Sequence, residues 1–376
     1  MRNIPTITLK PKLSELGKEI EKCALDLRIA TLESESPTDD DLDALFDSID
    51  EISFNCQLPE EADFANEKPF FKSSLFLHFP MDADGRISSQ QFYNYVLRKI
   101  SLDQARIDLA KYDLDCDGFL SESDLNSYMT DMMSLLTLDP PISPSFRKFY
   151  LCTAVRKFLF FLDKNRSGKV SITHMLLSPI LTELFELRDA DADDSTQGNW
   201  FSSHSALRVY GQFLNIDKNR NGLISRKEMD NYNNGTMSDI FLDRVFAECQ
   251  TYKNKETGES ELDYPGFLDF VLAIENNQTP EAIAYIFRFL DMHYQGFIDQ
   301  FTLSIFLRDV SAKMKRLGYD EVNQTDLENE LFDMANPKDP SRITLKDLLA
   351  SGVGGTIISI LCDVRGFWQY ENKEEK

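Results

Sequence analysis

Apolar positions along this chain recur at helical rather than strand spacing. Leu207, Tyr210 and Leu214 form one stripe, just ahead of a polar segment rich in Asp, Asn and Gly. Leu13, Leu16, Ile20, Cys23 and Leu27 form another near the N-terminus and predict an amphipathic helix around Leu13–Leu32. The polar segments between apolar runs share a plan. An oxygen-rich stretch leads to a glycine, an apolar residue follows two positions on, and a serine comes next. Ser88, Ser121, Ser171 and Ser225 hold that last place, where an exit helix can start. Ser121 with Asp124, and Ser225 with Glu228, have capping-box spacing. The pattern predicts an all-α chain of repeated helix–loop–helix units.

Two polar segments carry the donor pattern of a calcium-binding EF-hand loop. Such a loop needs side-chain oxygens at positions 1, 3 and 5, a glycine at 6, a backbone carbonyl at 7 and a carboxylate at 12. Asp113–Asp124 (DLDCDGFLSESD) offers Asp113, Asp115, Asp117, the Phe119 carbonyl and Asp124. Asp217–Glu228 (DKNRNGLISRKE) offers Asp217, Asn219, Asn221, the Leu223 carbonyl and Glu228. The expectation is up to two calcium ions. The loops are not equivalent. The first has more carboxylates, whereas the second has the longer residue at position 12. Asp124, one methylene shorter than Glu, tends to offer one oxygen, which also suits six-coordinate magnesium at Asp113–Asp124.

Weaker copies flank these loops. Pro80–Gln91, Asp163–His174 and Asp291–Thr302 keep the glycine but lack the acid at position 12. Glu261–Val271 fits the sheet residue and exit helix of a cryptic unit, and Arg342–Leu349 another exit half. The chain therefore reads as a degenerate EF-hand array of about seven units. Residues 1–70 would be an N-terminal helix and an acidic flexible segment, followed by modules at 71–190 and 191–376. The acidic stretch Arg188–Asn199 reads as the loop between the modules.

Composition narrows the function. With 40 Lys+Arg against 63 Asp+Glu, the formal net charge is −23, which disfavours nucleic acid and anionic membrane surfaces as partners. No run of about 18 apolar residues is present to span a membrane, and the N-terminus has no signal-peptide core. The six cysteines are scattered without a CxxC pair, as expected of a reduced, intracellular protein. The four histidines lie far apart in sequence, and no nucleophile or phosphate-cradling motif appears. Gly352–Gly355 (GVGG) lacks the Lys-Ser/Thr of a P-loop and reads as a turn or helix start. These features argue against an enzyme.

Several blocks, most of them outside the two strong loops, resemble one family. They are Asn199–Phe201 (NWF), Gln212–Glu228 (QFLNIDKNRNGLISRKE), Thr236–Glu248 (TMSDIFLDRVFAE), Leu262–Glu275 (LDYPGFLDFVLAIE), Tyr285–Asp291 (YIFRFLD), Phe332–Leu348 (FDMANPKDPSRITLKDL) and Gly366–Asn372 (GFWQYEN). In order and content they resemble the B″ regulatory subunits of protein phosphatase 2A, in the branch of the gamma-type member and plant TONNEAU2/FASS. The resemblance runs from about Phe71 to the C-terminus. It implies a non-catalytic subunit that binds the phosphatase scaffold (A) and catalytic (C) subunits and directs them to substrates. It also implies a cytoplasmic location at centrosomes, spindle poles or other microtubule-organising sites, with centrosomal or microtubule-associated partners. The competing reading is a free EF-hand calcium sensor that binds target helices.

Overall fold

The computed structural model describes residues 15–35, 78–81, 87–188, 198–254, 257–319 and 324–371. Helix α1 (Glu15–Glu35) precedes α2 (Ser89–Ala110), which leads into the loop at Asp113; β1 (Phe119–Ser121) and α3 (Glu122–Met132) leave it. Helix α4 (Arg147–Leu162) leads into the loop at Asp163, followed by β2 (Lys169–Ser171), α5 (Ile172–Leu177) and α6 (Pro179–Phe185). Helix α7 (Ser203–Ile216) leads into the loop at Asp217, which β3 (Ile224–Ser225) and α8 (Arg226–Met229) leave. Next come α9 (Asp239–Glu248), β4 (Tyr252–Lys253), β5 (Ser260–Leu262) and α10 (Tyr264–Glu275). Then follow α11 (Pro280–Leu290), β6 (Phe297–Asp299), α12 (Gln300–Arg316), α13 (Gln324–Ala335), β7 (Arg342–Thr344), α14 (Leu345–Ser351), α15 (Gly354–Cys362) and α16 (Val364–Glu371). This is the all-α repeat expected.

The short strands join loops two by two in antiparallel register. Leu120 faces Val170, Ile224 faces Leu262, and Ile298 faces Ile343. All six side chains are at most 1% exposed. The residue at position 8 of each loop is thus a core residue, which explains why the apolar residue persists where ligands are lost. The cryptic unit at Glu261 and the exit half at Arg342 supply the partners for β3 and β6. The centre of the copy at Pro80–Gln91 lies outside the described residues, as do most of Glu33–Glu51 and most of Arg188–Asn199.

Contacts divide the chain into two compact units, one of Met1–Tyr128 with Lys169–Ser178, the other of Met129–Gly168 with Pro179–Lys376. In the first, Leu109, Leu125 and Met175 are wholly buried, as are Leu120 and Val170 of the paired strands β1 and β2. In the second, aromatic rings form a continuous run. Phe213 meets Tyr264 and Phe267 at 5.0 and 5.5 Å between centroids, Phe267 meets Tyr232 at 6.1 Å, and Phe241 meets Phe289 at 5.8 Å. Helix α4 belongs to this second unit because it packs along α10. Arg156 Nε donates to Asp269 Oδ1 at 3.0 Å, and Trp200 Nε1 donates to the Thr153 carbonyl at 3.0 Å. The sequence places α4 in the 71–190 module, a grouping that local periodicity cannot distinguish from this one.

Two apolar stripes differ in phase from the sequence reading. On α7, Leu207 and Leu214 are 41% and 48% exposed, while Ala206, Val209, Phe213 and Ile216 are buried. Both sets satisfy helical spacing; the large Phe213 ring, packed on Tyr264 and Phe267, decides between them. On α1, Leu27 is 71% exposed and Cys23 is exposed, while Leu25 is buried. The inward face there includes Arg28, whose partner is polar. Gly352 ends α14 in the left-handed conformation at φ 69°, as expected of a turn glycine. A Cβ on Gly355 would lie 2.4 Å from the Asn277 carbonyl, so that glycine serves close packing at the start of α15. Among the described residues no single helix is long and apolar enough to cross a membrane.

Candidate metal-binding loops

Four loops share one backbone. The glycines at position 6, Gly118, Gly168, Gly222 and Gly296, have φ between 77 and 80°. The residues at position 4, Cys116, Arg166, Arg220 and Tyr294, also lie in the left-handed region at φ 52–58°. In every one the aspartate at position 1 fastens the turn. Asp113 accepts from the Asp117 and Gly118 amides at 3.1 and 2.9 Å, and Asp217 from Asn221 and Gly222 at 3.2 and 3.0 Å. Asp163 accepts from Ser167 and Gly168, and Asp291 from Gln295 and Gly296, in the same way. The position-1 acid therefore has a structural task wherever it stands, which accounts for its retention in loops without an acid at position 12.

Position 12 separates the loops. Glu228 closes its loop at both ends. Its Oε1 accepts from the Lys218 and Asn219 amides at 3.0 and 3.2 Å, and its Oε2 from the Ser225 amide and hydroxyl at 3.0 and 2.7 Å. Burial would raise this carboxyl, but the bonds from Ser225, Asn219 and Lys218 outweigh it and hold the group below its ordinary range. Asp124 reaches less far: its Oδ2 accepts from the Ser121 amide and hydroxyl at 2.8 and 2.7 Å. Both form capping boxes at the exit helix. The serines at 88 and 171, which face Gln91 and His174 at position 12, make no side-chain cap bond. The position-12 acid thus supports the helix start as well as offering ligand oxygens.

In the first loop, Asp113, Asp115 and Asp117 bring carboxylate oxygens within 4.8 Å of one another. Three such oxygens, with the Phe119 carbonyl and Asp124, make a hard-donor set of the kind that holds calcium or magnesium. Basic side chains meet this cluster. Lys169 Nζ bonds Asp117 and lies 3.7 Å from Asp115, and Arg28 donates to Asp113 Oδ2 at 3.0 Å. Asp113 is fully buried, and burial raises its carboxyl although the Gly118 amide and Arg28 pull it down. In the second loop, Asp217 and Glu228 are the carboxylates. Asn221 accepts from the Leu223 amide at 2.8 Å through Oδ1 and gives its amide nitrogen to Glu261 at 3.2 Å. Buried Glu261, also bonded by Asn254 at 2.8 Å, therefore orients the Asn221 oxygen.

All ten expected loop residues thus stand in two compact loops, one in each unit. Sequence reasoning missed Arg28, Lys169 and Glu261. Lys169 and Glu261 could have been found by pairing the loops in register, since they lie opposite Ser121 and Ser225. Arg28 comes from a helix 85 residues away, and nothing local marks it.

Paired helix–loop–helix units with selectively retained acids define a degenerate repeat protein of the EF-hand type. No family model matches the chain. It is 48% identical over 309 residues to the gamma-type B″ regulatory subunit of serine/threonine-protein phosphatase 2A from Xenopus tropicalis, covering 82% of this chain and 68% of that protein. It is 41% identical over 310 residues to TON2 of Arabidopsis thaliana, a probable B″ regulatory subunit of the same phosphatase, covering 81% of this chain and 65% of that one. A solved chain described as a PP2A PR70 holoenzyme, diCa, superposes with a TM-score of 0.59 at 20% identity, covering 68% of this chain and 94% of the other. The chain belongs to the B″ regulatory-subunit family of protein phosphatase 2A, in its gamma-type branch; the named relatives are regulatory rather than catalytic subunits.

Proposed function

We propose that this chain is a calcium-binding targeting subunit. It joins the scaffold and catalytic subunits of protein phosphatase 2A and directs their activity to substrates at centrosomes, spindle poles or other microtubule-organising sites in the cytoplasm. The observation that carries the calcium reading is the closure of Asp217–Glu228 by Glu228 at both ends, together with the carboxylate cluster of Asp113–Asp124. Family membership supports assembly with the phosphatase, and the PR70 holoenzyme is described with diCa. The location and any microtubule-associated partners rest on the resemblance of the sequence blocks.

Calcium at each loop would be held by Asp113, Asp115, Asp117, the Phe119 carbonyl and Asp124, and by Asp217, Asn219, Asn221, the Leu223 carbonyl and Glu228. Calorimetry of metal-stripped protein is expected to find no more than two tight calcium sites. Glu228→Gln is expected to weaken its own site more than Asp124→Asn weakens the other. Glu228 is one of two carboxylates and spans its loop, whereas Asp124 is one of four and stays beside Ser121. Three tight sites, or a larger loss for Asp124→Asn, would contradict this assignment. Magnesium competing at the first site but not the second would match the shorter reach of Asp124.

A further inference from the structure

Asp113 is unusual among the position-1 acids. Asp163, Asp217 and Asp291 bond within their own loops, but Asp113 also receives a guanidinium from another element. A carboxylate has about four acceptor positions. Asp113 uses two for the amides of Asp117 and Gly118, which shape the turn, and a third for Arg28 at 3.0 Å. The guanidinium also lies beside Cys116 at position 4. Lys169 faces Asp115 and Asp117 from the paired strand. Two monovalent cations thus face the carboxylates that a divalent ion would bridge. The second loop differs: among the described residues, the carboxylates of Asp217 and Glu228 bond to its own backbone amides and Ser225.

Among the described side chains of α1, at residues 22–33, Leu25 is buried, Arg28, Ile29 and Leu32 are half-buried, and Leu27 is 71% exposed. The ion pair of Arg28 ties the helix to a buried carboxylate, where the local dielectric strengthens the interaction. A divalent ion placed on Asp113 would meet the Arg28 charge at close range.

We propose that α1 docking and cation binding at Asp113–Asp124 oppose each other. Arg28 is a resident counter-cation on the position-1 ligand, and calcium entering the loop releases the helix. This rests on the reading of Asp113–Asp124 as a calcium site. By linkage, docked α1 lowers the calcium affinity of this loop by the same factor by which calcium weakens docking. The second loop, without such a partner, is exempt. Calcium would therefore have two effects in one chain: it tightens Asp217–Glu228 and frees α1 from Asp113–Asp124.

The test uses the full chain, with Glu228→Gln as background so that calorimetry reads the first loop. Arg28→Ala is expected to tighten calcium binding there by at least about fivefold, the lower end of ordinary coupling. In the chain with native loops, calcium is expected to speed hydrogen exchange of the α1 amides, and Asp115→Ala is expected to remove that response. Equal calcium affinity with and without Arg28, or α1 exchange indifferent to calcium, would overturn the latch while leaving the calcium site standing. No calcium binding at the first loop in either background would overturn the site reading itself, and the latch with it.

Discussion

Phe267→Ala is expected to destabilise the larger unit by about 3–5 kcal/mol, the usual cost of emptying a core aromatic site. Phe267 is wholly buried on α10, with Phe213 at 5.5 Å and Tyr232 at 6.1 Å. Those rings belong to the segments on either side of the second loop, so the cavity would open beneath the helices that hold Asp217 and Glu228. Neighbouring rings cannot collapse into the space without breaking their edge-to-face contacts. Denaturant unfolding gives the measurement. A loss below about 1 kcal/mol would show that the aromatic run repacks freely and does not set the loop geometry.

Arg156→Leu is expected to cost about 3 kcal/mol near neutral pH, because it strands Asp269 in a largely buried position. Burial already raises the Asp269 carboxyl above its ordinary range, and Arg156 is the chief influence pulling it down. Removing the guanidinium raises it further. An acid whose folded pKa lies above its unfolded value binds protons more readily in the folded state. Its contribution is therefore most favourable at low pH and is lost as pH rises through the folded value. The deficit of Arg156→Leu relative to the parent is expected to be largest at neutral pH. It should shrink on acidification through that raised value. Arg156→Leu with Asp269→Leu should recover most of the loss, since the buried carboxylate is removed along with its chief partner. A deficit independent of pH and unchanged in the double variant would show that Arg156 acts through packing rather than charge.

The loops were legible because their chemistry is local. Twelve consecutive positions specify the turn glycine, the oxygens and the helix cap, so all ten ligand candidates fall in two loops of the expected shape. The pairing of loops was also legible, since an apolar residue at position 8 must find a buried partner, and the cryptic units at Glu261 and Arg342 supply two of them. Helix phase was less legible. The exposed stripe of Leu207 and Leu214 and the buried stripe of Val209 and Phe213 both satisfy helical spacing. Only the tertiary setting of the Phe213 ring distinguishes them. Polar contacts across long separations left no mark in the sequence. Arg28 on Asp113 and Arg156 on Asp269 join residues 85 and 113 positions apart. The same holds for Glu261 on Asn221, 40 positions apart, until the strands are paired.

Two properties are proposed together for this chain: assembly with protein phosphatase 2A, and cation-binding loops that bias it. Calcium can shift assembly only through its differential affinity for the free and assembled chain. Each retained loop is paired with a loop that lacks the full ligand set and is already fixed by core residues, which favours local tightening over wholesale opening. The affinity of the full chain for the purified scaffold–catalytic core, measured in calcium and again in chelator, tests both properties at once. The expected result is binding in both conditions, tighter in calcium by about 5–30-fold, a coupling of about 1–2 kcal/mol. Failure to bind the core in either condition, or equal affinity in both, would contradict the account.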